Sequence, residues 1–197
     1  MYKDPYVWDR LNSFALVGYI PEPLAGFLDN LRQELVPNTF LPAHVTILPP
    51  RAVCSNPESA WHLIRALAPR FEPFEVELTD VEVFPVTDVI YVNVGKGSEQ
   101  LIEMHEALNI DGLCCQETYR YHPHVTLAQD LQPDELDELV RVARARWAEF
   151  SSAKTFRVEK VVFVQNTRRN CWTDLGACTL GQSDARVVGD LTGLLAR

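Results

Sequence analysis

Apolar residues recur along the chain in short blocks whose period switches between two and about 3.6, the signature of strands alternating with helices. Residues 13–20 (SFALVGYI) form an apolar run of strand length. Pro21-Glu22-Pro23 ends that run and opens a helix in which Leu24, Phe27, Leu28, Leu31 and Leu35 fall on one face. Pro37 closes it. Residues 44–48 are β-rich and are predicted to stop at Pro49-Pro50, since proline cannot donate to a ladder. Asn56-Pro57-Glu58 has the form of a helix start, with proline in the first turn, and Trp61, Ile64 and Leu67 share the face that follows. Residues 74–84 alternate like a strand pair, and residues 88–94 read as a further strand.

The second half repeats this order. A strand over 89–94 passes through Gly95-Lys96-Gly97 into a helix bearing Leu101, Met104 and Leu108. A turn-rich stretch around Gly112 precedes a β-rich segment, 121–128. Gln132-Pro133-Asp134-Glu135 opens a helix whose face carries Leu136, Leu139, Val140, Ala143, Trp147 and Phe150. Residues 156–164 and 171–180 read as two closing strands, and a loop with a short helix is expected after Gly181. Corresponding pieces lie near 80 residues apart, the mark of an internal duplication. The strand pairs at 74–94 and 156–180 favour antiparallel hairpins over a parallel sheet. The expected class is therefore α+β, a single domain over 1–197 made of two pseudo-symmetric lobes.

Composition narrows the function. The 197 residues are 47% hydrophobic and 23% charged, ordinary for a globular chain that needs no disulfide or metal to close its core. The 27 acidic residues outnumber the 18 basic ones, giving a formal net charge of −9. An acidic surface argues against a protein that tracks long duplex nucleic acid, but leaves room for a small nucleotide or one RNA end in a local pocket. Cys54, Cys114, Cys115, Cys171 and Cys178 are odd in number and lack a C-x-x-C, so reduced thiols are expected. Residues 1–10 carry no apolar signal core and no run is long enough to cross a membrane. A cytoplasmic protein without membrane contact is the expectation, and the sequence names no protein partner.

The duplication places the same chemistry in each copy. The first reads Pro42-Ala43-His44-Val45-Thr46-Ile47-Leu48, the second His122-Pro123-His124-Val125-Thr126-Leu127-Ala128. In a strand, positions i and i+2 point to one face, so each segment offers an imidazole and a hydroxyl to one side. Val45 with Ile47, and Val125 with Leu127, point the other way, into the interior. Two imidazoles flanking one site can divide acid–base work near neutral pH, one taking a proton from the attacking oxygen and the other giving one to the leaving oxygen. The threonine hydroxyls can donate to phosphate oxygens as charge builds. This chemistry requires no metal or other cofactor.

With these motifs the chain resembles the two-histidine (2H) phosphoesterases, which include the bacterial 2′-5′ RNA ligase-like proteins and the cyclic phosphodiesterases. Their signature is a pair of His-x-Thr/Ser-hydrophobic motifs, here His44-Val45-Thr46-Ile47 and His124-Val125-Thr126-Leu127. The resemblance runs over about residues 12–180 through the order of elements. It implies two antiparallel sheets around a central cleft with helices outside, and cleavage of a 2′,3′-cyclic phosphate or a 2′-5′ linkage of a nucleotide or RNA end. By the same resemblance His44 and His124 are the catalytic pair, and Thr46 and Thr126 hold the phosphate. Members often carry a basic or aromatic residue just after the second motif. Here that stretch is Ala128-Gln129-Asp130, so Arg51, Arg120 and the Arg168-Arg169 turn are candidate substitutes, each against the more common reading of a solvated surface charge.

Other readings compete. A non-catalytic binding module for a nucleotide or RNA end would use the same cleft, and 2′-5′ ligation is the same reaction reversed. His122 shares the face of His124 and, with His44, could begin a zinc site, although the threonines would then have no role. His62 and His105 fall in predicted helices, at the surface or the core edge. Tyr121 and Trp172 could stack a base or merely line the rim.

Overall fold

The first apolar run is β1 (Phe14–Tyr19), and it is buried on both faces, as a strand in the middle of a covered sheet must be. Phe14 and Leu16 face the main core, while Ala15 and Val17 belong to a second, smaller apolar cluster on the opposite face. The computed structural model describes residues 12–37, 41–53, 56–113, 115–168 and 171–182. The expectations for residues 1–10, Cys54, Cys114, Arg169 and the helix after Gly181 lie outside the described residues, as does the side chain of Arg168.

Two four-stranded antiparallel sheets form the frame, and the α+β expectation holds. In the first, β1 lies between β2 (His44–Arg51) and β7 (Lys160–Arg168), with β8 (Cys171–Thr179) beyond, in the order β2-β1-β7-β8. In the second, β3 (Phe74–Val83), β4 (Ile90–Val94), β5 (His124–Ala128) and β6 (Thr155–Val158) run in the order β5-β4-β3-β6. One closing strand of each sequence repeat thus lies in the sheet away from its opening strands, while β6 stays in the sheet of β4 and β5. β3 leaves the first copy to pair with β4, and β7 leaves the second to pair with β1.

Among the described residues, four α-helices cover the sheets: α1 (Leu24–Leu35), α2 (Pro57–Leu67), α3 (Ser98–Leu108) and α4 (Leu136–Glu149). Asn56 caps α2, its side-chain oxygen accepting from the Ser59 N–H at 2.8 Å. Gly97 precedes α3 with φ +88°, and a Cβ there would come within 2.5 Å of the Glu75 carbonyl, so the turn demands glycine. One hydrophobic core runs through both sheets. The helices cross over: α1 packs on β5 and α3 on β2, each against the motif strand of the other sheet. Among the described residues, no helix is long and apolar enough to cross a membrane.

Three elements differ from the sequence pattern. β2 continues through Pro49-Pro50 to Arg51, because it is an edge strand and tolerates missing donors on its open side. Residues 74–83 are one strand with an irregularity between Leu78 and Val81, not a pair. Residues 155–168 are two strands broken at Glu159, where the chain leaves the second sheet for the first.

Candidate active site

The two motifs occupy equivalent places. β2 and β5 are the edge strands of their sheets, and they pack against one another. Residue by residue their exposure matches: His44 and His124 are half-buried, Val45 and Val125 buried, Thr46 and Thr126 half-buried, Ile47 and Leu127 buried. Each strand also bulges at the same point. Val17 pairs with Thr46 and Leu16 with Leu48, leaving Ile47 as the extra residue. Tyr91 pairs with Thr126 and Ile90 with Ala128, leaving Leu127. A bulge re-aims the side chains beside it, and here both motifs are re-aimed alike.

The rings are held by the same bond in each copy. His44 Nδ1 lies 2.7 Å from the Pro42 carbonyl, and His124 Nδ1 lies 2.7 Å from the His122 carbonyl. A carbonyl only accepts, so Nδ1 carries the hydrogen in both rings and Nε2 is the nitrogen not committed to that bond. α1 steadies the approach to His44. Arg32 donates to the Leu41 carbonyl, and the Asp29 carboxylate accepts from the Ala43 backbone.

Both imidazoles are poor bases for histidine. Desolvation pushes His44 down to about 4; the Pro42 carbonyl opposes this, while the positive charges of Arg32 and His124 add to it. His124 is also lowered, first by desolvation and then by the neighbouring His122, against the pull of the His122 carbonyl. The charge of His124 is felt at His44, in keeping with the packing of β5 on β2. Thus the structure brings His44 and His124 together across the junction of β2 and β5, with Thr46 and Thr126 each two residues along on the same face.

Around the pair stand aromatic and acidic groups. Phe84 stacks on Tyr91 at 4.0 Å between centroids, and both present themselves edge-on to His124, at 5.0 and 5.4 Å. Tyr91 donates its hydroxyl to Glu82 at 3.0 Å, and Asn93 donates to the other oxygen at 3.3 Å. The Asn93 amide oxygen accepts from His122 Nε2 at 2.9 Å. On the first sheet Tyr19, the cross-strand partner of His44, donates to Asp174 at 2.6 Å. Burial, reinforced by these carboxylates, raises both phenols, Tyr91 to about 12 and Tyr19 further, so both remain donors. Tyr19, Glu82, Phe84, Tyr91, Asn93 and Asp174 were not singled out from the sequence. Strand parity could have found them only if the pairing register had been known.

Several candidates take other roles. Arg51 is 4% exposed and faces no cleft; it is spent on an internal ion pair with Glu117 at 2.5 Å. Tyr121 cannot stack a base, because its ring lies on His105, 4.0 Å away and parallel, and its hydroxyl donates to the Thr46 carbonyl at 2.7 Å. His105, expected at the surface or core edge, is buried and bonds the Ile47 carbonyl through Nδ1 at 2.8 Å. Trp172 packs on the small apolar cluster of Ala15, Val17, Val162 and Val164. His62 is exposed on α2. Arg120 lines a shallow groove of about 320 Å³ with Ser98, Ile102, Tyr121, His122 and Pro123. Among the described residues, no group of three His, Cys, Asp or Glu side chains is arranged to hold a metal ion.

The profile of the 2′-5′ RNA ligase superfamily matches residues 20–170. The chain belongs to this superfamily. Among its relatives is the provisionally named phosphoesterase BH1439 of Halalkalibacterium halodurans, 25% identical over 175 residues, which are 87% of this chain and 99% of that one. Of solved structures, apo LigT of E. coli superposes with a TM-score of 0.61 at 16% identity, covering 87% of this chain and 98% of its own. LigT complexed with 3′-AMP gives 0.60 at 15%, covering 87% and 99%. At that identity the likeness speaks for the fold. The superfamily assignment and the paired His-x-Thr segments agree in kind: a phosphoesterase-type protein of the 2H class.

Proposed function

We propose that this chain is a metal-independent phosphoesterase that opens a 2′,3′-cyclic phosphate, or cleaves a 2′-5′ linkage, at a nucleotide or RNA end. The observation that carries the reading is the matched pair of imidazoles, each with Nδ1 committed to a backbone carbonyl and Nε2 left for chemistry. The complex of 3′-AMP with E. coli LigT supports a nucleotide as ligand for this fold. In hydrolysis, neutral His44 takes a proton at Nε2 from water as the water oxygen bonds to phosphorus. His124, protonated, gives its proton to the ribose oxygen as the P–O bond breaks, and a phosphomonoester with a free hydroxyl results. His44 is assigned the base because Arg32 and His124 both oppose a charge on it. The hydroxyls of Thr46 and Thr126 donate to the non-bridging oxygens, whose negative charge draws protons toward both rings once substrate is bound.

The test is a product assay on nucleoside 2′,3′-cyclic phosphates and 2′-5′-linked dinucleotides. His44→Ala and His124→Ala are each expected to lower kcat by about 10²–10⁴-fold, the usual worth of a general acid or base, with an unchanged far-UV spectrum. Near wild-type turnover in either variant would defeat the proposal, and activity abolished by a chelator would replace it with a metal-dependent one.

A further inference from the structure

The outward edge of β2 is not left to solvent. Because the strand bulges at Ile47, two successive carbonyls, those of Thr46 and Ile47, turn away from β1, and both are met by donors from the second half of the chain. Tyr121 Oη reaches the Thr46 carbonyl at 2.7 Å and His105 Nδ1 the Ile47 carbonyl at 2.8 Å. The two donors are fixed against each other by parallel ring stacking at 4.0 Å and 4°. His105 Nε2 lies 3.3 Å from Glu117, whose other oxygen takes Arg51 from the end of β2. Tyr121 stands three residues before His124, and the Thr46 carbonyl belongs to the first motif itself. One hydroxyl therefore connects the approach to one catalytic histidine with the backbone that carries the other.

The geometry points to Tyr121 and His105 as positioning residues, a brace that fixes the separation of His44 and His124 and hence the gap a phosphorus centre must fit. The inference rests on the phosphoesterase reading for its consequence in catalysis, but the brace itself has a readout that needs no turnover. The charged groups facing His44 are Arg32 on α1 and His124 on β5, with Tyr19 and its bonded Asp174 across the strand pair. Of these, only His124 is tied to the brace.

Tyr121→Phe and His105→Phe each keep an aromatic ring in the stack; the first deletes the hydroxyl donor alone, the second the Nδ1 donor together with the Nε2 contact to Glu117. The imidazole of His44 is followed by NMR titration in the wild type, in both variants and in His124→Ala. In the wild type, burial is expected to make it titrate well below an ordinary histidine. Loosening the brace moves the His124 charge away and lets water in, so His44 is expected to titrate at higher pH in either variant, in the direction His124→Ala defines. On a cyclic phosphate that the wild type turns over, kcat is expected to fall about ten- to a hundredfold, the cost of misplacing a reacting group by about 1 Å, with KM within about twofold. An unchanged His44 titration in a folded variant overturns the brace whether or not the protein is active. A lowered melting temperature with unmoved titration and kcat, or the failure of both variants to fold, assigns these residues to stability alone and overturns it equally. A wild type inactive on every phosphodiester removes the functional reading, while the titration still decides the brace.

Discussion

Replacing Arg51 with methionine tests whether the polar network beside the first motif holds the molecule together. Its side chain is 2% exposed and four of the five guanidinium N–H donors are engaged: Nε donates to the Pro49 carbonyl at 2.9 Å, Nη1 to Asn109 Oδ1 at 2.5 Å and the Leu113 carbonyl at 2.9 Å, and Nη2 to Glu117 at 2.5 Å. Methionine fills similar volume but satisfies none of these acceptors. Glu117, itself only 17% exposed, keeps His105 as its remaining partner. Breaking a buried ion pair by removing one member costs about 3–5 kcal/mol, because the survivor stays charged in a poor solvent. For a chain of this size each kcal/mol corresponds to about 2–4 °C, so the melting temperature is expected to fall by about 6–20 °C. Circular dichroism during heating and urea titration measures it. The double variant Arg51→Met with Glu117→Gln removes the stranded charge and is expected to recover about 1–3 kcal/mol, the worth of one buried unpaired group. A single variant within about 1 kcal/mol of wild type, or a double variant no better than the single, would refute the assignment of the pair as a structural tie.

The pH dependence of kcat/KM follows from the same site. A base with a lowered pKa works once it has lost its proton, and an acid with a lowered pKa is spent once it has, so the rate should rise near pH 4 as His44 deprotonates and decline as His124 deprotonates below the ordinary value of 6.5; an optimum above pH 7.5 would contradict the assignment of His124 as acid. At Gly176, a Cβ would lie 2.6–2.9 Å from three atoms of the Trp61 ring, which is backed by the buried Phe163 at 6.2 Å. Gly176→Ala is therefore expected to cost about 1–3 kcal/mol through overpacking and to perturb tryptophan fluorescence, and an unshifted urea midpoint would show that the ring yields freely.

What the sequence carried, and what it could not, divides along a physical line. Helix faces and strand runs were legible because burial imposes a local period. The histidine pair was legible because His-Val-Thr followed by an aliphatic residue recurs 80 residues apart, and its alternation already implied one imidazole and one hydroxyl on a common face. The surroundings of the pair were not. Tyr91 and Glu82 lie on β4 and β3, and Tyr19 and Asp174 on β1 and β8, so their meeting depends on a register that local pattern does not encode. Arg51 was misread for a related reason. An arginine just after the first motif suits an anion site, and only the acceptors that Asn109, Leu113 and Glu117 bring from the second half of the chain commit it to an internal ion pair. The course of β2 through Pro49-Pro50 was hidden because proline's cost depends on whether a strand is central or edge.

The crossing of elements between the two sheets bears on how two separate strands could serve the one reaction proposed for them. Had each repeat closed its own sheet and carried its own helix, the distance between His44 and His124 would depend on a surface contact between independent bodies, free to slide. Instead β3 and β7 each pair in the sheet opposite their own repeat, α1 lies on β5, α3 lies on β2, and a continuous core runs beneath both motifs. Separating the two histidines then means parting strands and exposing that core, so their spacing is defended by the cooperativity of the fold rather than by any single bond. The brace adds a finer adjustment at the one edge the core does not control, the outward carbonyls of β2. Acid–base chemistry at a single phosphorus atom tolerates little slack, and in this chain the swapped strands and helices supply the coarse part of that tolerance while Tyr121 and His105 act on the remainder.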